Sequence, residues 1–285
     1  MGLFDGLGKF GLDNLDSNEL FEDEKKKNSA GQKEVVQKTP EELEIELLFD
    51  KKYTCPNCYE DFNARVVRAG KAKLASSDFD LRPKYENIDC DKYGVLMCPK
   101  CGYAALTRYF NSCTPPQLKL IKERISASFK PADKEPLMYT YDEAINRYKM
   151  ALANAMVKRA RASEKAYVCL KTGWMYRAKA ETIEATPEHE EELKELKKNE
   201  MECIQIAYDG FVSARSSEGY PMCGMDEQTV DYIIAALALK LGKFDVAAKM
   251  IAGLLGDLKT GKRMKERALD LKELLLEEKK KQGNA

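Results

Sequence analysis

The chain has 285 residues, 44% hydrophobic and 33% charged, with 47 basic and 47 acidic side chains. That length is enough to bury a core in one large or two modest domains, and the charge balance excludes a global field for nucleic acid or an anionic membrane. Nine cysteines in so large a chain, with no secretory leader pattern and no apolar run of membrane-spanning length, point to metal ligation in a reducing cytoplasm rather than to disulfides.

Residues 1–38 read as a flexible acidic tail. The first fifty residues carry 6 basic and 13 acidic side chains. Glycines dilute Leu3, Phe4, Leu7 and Phe10, although Phe4, Leu7 and Phe10 also suit a short docking peptide. The string Gly6-Leu7-Gly8-Lys9-Phe10-Gly11 matches G-x-G-x-x-G, but no strand precedes it, which excludes a dinucleotide loop.

Residues 39–112 are expected to form a helix plus a zinc-ribbon domain. Thr39, Pro40 and Glu42 make a capping box, and Leu43 to Phe49 lead onward. Tyr53-Thr54 enters the turn Cys55-Pro56-Asn57-Cys58, and Phe62–Val67 leaves it. Tyr93–Met97 feeds the second turn, Cys98-Pro99-Lys100-Cys101-Gly102, and Tyr103–Tyr109 carries away from it. A C-P-x-C turn sets two thiolates on one side of a tight bend, so two turns close a four-thiolate cage. Cys55, Cys58, Cys98 and Cys101 are therefore expected to hold one structural Zn²⁺ per chain, with iron as the alternative metal. Four protein ligands leave no open position for catalysis. Between the turns, Asp78-Phe79-Asp80-Leu81-Arg82 is expected to fold as a loop onto the metal core.

Residues 113–136 read as a connecting helix and linker. Thr114, Pro115 and Gln117 form a second capping box, and Leu118, Ile121, Ile125 and Phe129 share one helical face. Residues 137–280 read as a helical domain like that of tetratricopeptide repeats (TPR-like). Thr140 and Glu143 cap a helix expected to run toward Lys165. Its alanines and Tyr148 match the second helix of such a repeat, and Tyr167, Leu170 and Trp174 match the first helix of a following unit. Thr186-Pro187 opens a charged helix supported by Glu190 and Lys194. Ile234, Leu239, Gly242, Phe244, Ala247 and Leu254 fall at repeat-like intervals, and Leu269, Leu271, Leu274 and Leu275 mark a closing helix. The fold class is thus mostly α with a small β zinc ribbon.

Taken together, Cys55-Pro56-Asn57-Cys58, Asp80, Tyr85, Tyr93 and Cys98-Pro99-Lys100-Cys101-Gly102-Tyr103-Ala104-Ala105 resemble a bacterial family known only as a domain of unknown function. The resemblance covers residues 45–260. It implies a zinc ribbon followed by TPR-like helices, and it brings no reaction and no catalytic residues.

The remaining candidates have plainer readings. Cys90, Cys113, Cys169, Cys203 and Cys223 read as small buried residues. His189, the single histidine, sits among glutamates and reads as solvated, so a Cys-His or Ser-His-Asp site is not expected. Arg65, Arg68, Lys71, Lys73, Arg82 and Lys84, interleaved with Phe62, Phe79 and Tyr85, support a nucleic-acid-binding alternative. Tyr141, Tyr148, Tyr167 and Trp174 read as inter-helix packing. The expected function is a cytoplasmic, non-enzymatic adaptor that binds a protein or peptide partner. Nucleic-acid binding and thiol-based redox sensing are the alternatives.

Overall fold

The computed structural model describes residues 38–131 and 135–283, so the tail expected over residues 1–38 lies outside it but for its last position. Helix α1 (Pro40–Glu46) is two turns long and gives way to a strand at Leu48. Proline at its first position forfeits only an amide without an intrahelical partner. Strands β1 (Leu48–Thr54) and β2 (Asp61–Val67) pair antiparallel, with Thr54 opposite Asp61. After the short hairpin of β3 (Leu74–Ser77) and β4 (Pro83–Tyr85) come β5 (Val95–Met97) and β6 (Ala104–Leu106), with Met97 opposite Ala104. These are three separate two-stranded sheets. Pro83 opens β4, a strand position that tolerates a missing amide.

Eight α-helices account for most of the described residues. In α2 (Pro115–Ile121) the predicted capping box is present, the Thr114 amide donating to Gln117 Oε1 at 3.0 Å. The helix expected to continue through Phe129 instead widens into a π-type turn at Lys122–Ser126. Helices α3 (Tyr141–Val157), α4 (Ala162–Glu181), α5 (Glu190–Ser217), α6 (Glu227–Lys240), α7 (Phe244–Gly256) and α8 (Lys262–Gly283) each pack on the next. None of the described helices is long and apolar enough to cross a membrane.

Helix α3 starts as expected, with the Glu143 amide donating to Thr140 Oγ1 at 3.2 Å, but it stops at Val157 rather than running on toward Lys165. A Schellman closure ends it. The Ala160 amide donates back to the Ala155 carbonyl (2.8 Å) and the Arg159 amide to the Met156 carbonyl (3.1 Å). This closure requires a left-handed residue, and Arg159 supplies it at φ 54°. The same closure ends α6, where Lys243 reaches back to Ala238 and Gly242 is the left-handed residue at φ 71°. Glycine pays no steric penalty in that conformation, whereas arginine does.

The β5–β6 hairpin is a wall between two apolar cores. Val95, Ala104 and Leu106 face the helical core of Tyr148, Trp174, Met175, Phe211 and Ile233. Leu96, Tyr103 and Ala105 face a smaller core with Phe62, Phe110, Ile121 and the cysteines. The two-residue alternation of a strand produces this split.

The Asp78–Arg82 loop corrects its expected position, because it inserts against α4, α5 and α6 rather than onto the metal core. Tyr232 donates to the Phe79 carbonyl (2.8 Å) and Trp174 Nε1 to Asp80 Oδ2 (3.1 Å). Arg177 bridges Asp78, Asp80 and Glu200. Asp80 is fully buried. A carboxylate at that depth needs an opposite charge, and α4 carries it. Two of the aromatic residues expected to pack between helices instead hold the Asp89–Asp91 segment ahead of β5. Tyr148 donates to the Asp91 carbonyl at 2.8 Å, and Tyr141 to Asp89 at 3.4 Å.

Candidate metal centre

The two C-P-x-C turns close in the same way. The Cys55 amide donates to the Glu60 carbonyl (2.9 Å) and the Tyr59 amide to the Cys55 carbonyl (2.8 Å). In the second turn the Cys98 amide donates to the Tyr103 carbonyl (2.8 Å) and the Gly102 amide to the Cys98 carbonyl (3.0 Å). The residue after each second cysteine is left-handed, Tyr59 at φ 66° and Gly102 at φ 70°. Each hairpin thus presents two thiols from its tip toward the other.

Cys55, Cys58, Cys98 and Cys101 meet as expected, their sulfurs all within 4.8 Å of one another. The Cys55–Cys101 and Cys58–Cys98 pairs are each 3.6 Å apart. A tetrahedron with metal–sulfur bonds of about 2.3 Å has edges of about 3.8 Å, so the donor set fits a four-coordinate metal ion. Three of the cysteines are buried and Cys58 is partly exposed.

The thiols share protons unequally. Hydrogen bonds from Cys55 and Cys98, with a further one from Asn57, hold the Cys101 thiol far below its ordinary range. Donation to Cys101 pushes Cys55 up, and it pushes Cys98 up to about 12. A bound cation replaces the protons shared among the sulfurs, so metal uptake here releases protons.

The surroundings hold this geometry. Asn57 Nδ2 donates to Cys101 Sγ at 3.3 Å and to Ser126 Oγ at 2.9 Å, tying the first turn to the π-type turn after α2. Phe129 lies across Gly102, and Asn154 of α3 donates to the Gly102 carbonyl at 3.0 Å. Phe62 and Phe110 meet edge to face at 5.9 Å on the apolar side. The sequence reading did not single out Asn57, Ser126 or Asn154. Asn57 at least lies inside the motif, at the one variable position between the two cysteines of its turn.

The other candidates lie apart from this centre. Cys113 Sγ is 3.2 Å from the Tyr103 hydroxyl. Burial raises Cys90 and Cys203 to about 12 and Cys169 to about 11, which keeps those thiols protonated. His189 is exposed and bonds to Thr186 and the Glu184 carbonyl. Of the basic residues expected to cluster in the insertion, Arg82 and Lys84 meet on the same two carboxylates, Asp78 and Glu181. Arg82 is buried in ion pairs with Asp78 and Glu181, Arg65 is paired with Asp50 at 3.0 Å, and Phe79 packs on the helices.

A family model described as an uncharacterized protein conserved in bacteria (DUF2225) matches residues 48–275. A stretch of 82 residues is 28% identical to a protein of Borreliella burgdorferi described only as an uncharacterized protein. That match takes in 26% of this chain and 29% of the relative, so the chain spans less than a third of that protein's length. No solved structure matches the chain.

Proposed function

This chain belongs to the DUF2225 family, whose description assigns no activity, and on that premise we propose that it is a zinc-stabilised cytoplasmic adaptor. In this reading Cys55, Cys58, Cys98 and Cys101 hold one Zn²⁺ as the centre of a zinc ribbon, and the metal does no chemistry. It locks the two hairpins together, and the β5–β6 hairpin carries that rigidity into the TPR-like helices. Those helices offer a surface to a protein partner. Ile206 and Val212 on α5 and Val246 on α7 are apolar side chains left exposed on these helices.

The observation that carries this reading is the closed donor set. Four sulfurs from two matched turns lie at tetrahedral spacing and leave no open position for a substrate. Soft thiolates in this number favour zinc over the harder divalent ions. The high thiol pKa values of Cys90, Cys169 and Cys203 favour an inert role over a redox one.

Elemental analysis of the full chain, purified without added metal, tests the centre. The expected result is one zinc per chain, with four thiols protected from titration until the protein is denatured. Iron, or no metal with freely reactive thiols, overturns it. The adaptor role is tested by cross-linking in cells, comparing wild type with an Ile206→Asp/Val212→Asp variant. A specific cross-linked protein lost from the variant supports the role. Identical cross-linking patterns refute the α5 surface.

A further inference from the structure

A cavity of about 570 Å³ opens where four parts of the chain meet. These are the segment after β6, the start of α2, the α3–α4 turn and the tip of a tight hairpin at Met222–Met225. Four cations line it: Arg108, Lys158, Arg159 and Arg161. Glu164 answers Lys158 at 2.7 Å. The three arginines are exposed, and among the described residues their side chains have no hydrogen-bond or ion-pair partner.

Arg124 and Arg263 are also without a side-chain partner among the described residues, but each stands singly in that respect, whereas these three share one cavity. Arg65, Arg82, Arg147, Arg177 and Arg215 each hold a carboxylate. The cavity of about 510 Å³ beside α1 is also rich in charge, but its Arg82, Lys84 and Lys92 are answered by Glu181, Asp78 and Glu44. At the larger cavity, three like charges face a common space without compensation, which costs energy until an anion or solvent screens them.

The backbone holds these cations in place. The Arg108 guanidinium lies over Gly224, where a Cβ would fall 2.6 Å from Nη1, so its approach depends on a residue without a side chain. Arg159 is the left-handed residue of the α3 closure, a place where glycine would cost less. Arg161 is the N-cap of α4 and makes no capping bond of its own. The first turn of that helix already accepts an oxyanion, since Glu218 takes hydrogen bonds from the Ser163 amide (3.1 Å) and hydroxyl (2.5 Å). Pro221 and Met222 supply an apolar wall.

We infer that this cavity binds a small anion carrying at least two phosphate groups, such as inorganic polyphosphate or a nucleoside di- or triphosphate. Guanidinium groups bind phosphate oxygens in pairs and remain charged at all physiological pH values. Against Lys158, Arg108, Arg159 and Arg161 stand Glu164 and, on Ser163, Glu218, so the charge alone would suit one phosphate; it is the three guanidinium groups, each able to take a pair of oxygens, that offer more donors than a single phosphate group can fill. The volume falls in the range of small-molecule sites. This inference does not depend on the metal centre or on the adaptor surface.

Isothermal titration of the full chain with tripolyphosphate and with ATP tests it. Both ligands are expected to bind. The Arg108→Gln/Arg161→Gln variant is expected to bind roughly tenfold more weakly or worse, with its ligand-free melting temperature unchanged or slightly raised, because both side chains are exposed and like charges are removed. Arg263→Gln, in a second cationic cavity with Lys259, Lys262 and Arg267, is the control and leaves binding intact; loss of binding in that variant instead overturns the assignment. Equal affinity for the two ligands assigns the site to the phosphate chain, and tighter ATP binding adds the nucleoside; both support the proposal. No heat with either ligand, full binding by the double variant, or binding of an oligonucleotide alone overturns it.

Discussion

Tyr59 and Gly102 occupy the same station in the two cysteine turns, and their surroundings are opposite. Tyr59 is 72% exposed, with the Lys122 ammonium over its ring at 5.5 Å. Gly102 is buried, with Phe129 packed so closely that a Cβ would lie 2.4 Å from its ring. Tyr59 projects into solvent, whereas Gly102 is walled in by Phe129 and α3, even though Cys55 and Asn57 are as buried as Cys98. The bend comes from the motif, but what is packed against it decides which residue can follow the second cysteine. A motif search treats the two turns as equivalent, and their tolerance to substitution should differ sharply.

The strongest test removes a ligand from either turn. Cys55→Ser and Cys98→Ser are each expected to take the metal content from one per chain to none, forfeiting most of ~10 kcal/mol of metal-linked folding free energy. If the comparison holds, Cys98→Ser also lowers the melting temperature of the helices further than Cys55→Ser, because its hairpin belongs to their core as well. Elemental analysis and thermal circular dichroism check both. Gly102→Ala comes next. The steric clash adds to a left-handed backbone, for a loss of about 2–4 kcal/mol by chemical denaturation. Adding Phe129→Ala to Gly102→Ala should recover the steric part as a coupling in a double-mutant cycle.

On the buried side, Asp89 is raised to about 6, first by burial and then by Asp91. Its carboxyl therefore favours the folded state most below the ordinary value of 3.8, and that contribution is lost as pH rises through about 6. Asp89→Asn is expected to stabilise the protein by roughly 2 kcal/mol above pH 7 and by nothing near pH 4, as read from denaturation at several pH values. Asn57→Ala, at a buried position of the first turn, removes a donor to Cys101 and should cost about 1–2 kcal/mol while speeding metal loss to a chelator. Tyr59→Gly is the smallest change. Relief of the left-handed strain is partly offset by unfolded-state entropy, for a gain of no more than about 1 kcal/mol.

What was legible in the sequence was local. The four cysteines and their pairing by turn follow from spacing alone. The starts of α2 and α3 follow from Thr114 with Gln117 and Thr140 with Glu143. The end of α6 was marked by Gly242. The end of α3 was not, because the same closure there uses Arg159, a good helix former, and nothing in the residue type announces a break. The destination of Asp78–Arg82 was hidden for a different reason. Its partners Trp174 and Tyr232 lie 94 residues from Asp80 and 153 from Phe79, and no local pattern records a pairing at that range. Asn57 was visible but looked like turn filler, since its role depends on Ser126 in a π-type turn that periodicity did not foresee.

That distant loop also sets an order of events during synthesis. When Cys101 leaves the ribosome, all four thiols are present but α4 to α6 have not been made. At roughly 5–20 residues per second, Trp174 follows Asp80 only after several seconds, and Tyr232 later still. Throughout that interval Asp80 lacks the Arg177 charge that it pairs with in the folded chain, and the Val95–Leu106 face of the second hairpin has nothing to pack on. On the metal reading proposed above, the cation is captured during this delay, and the helices then assemble against a template that is already rigid.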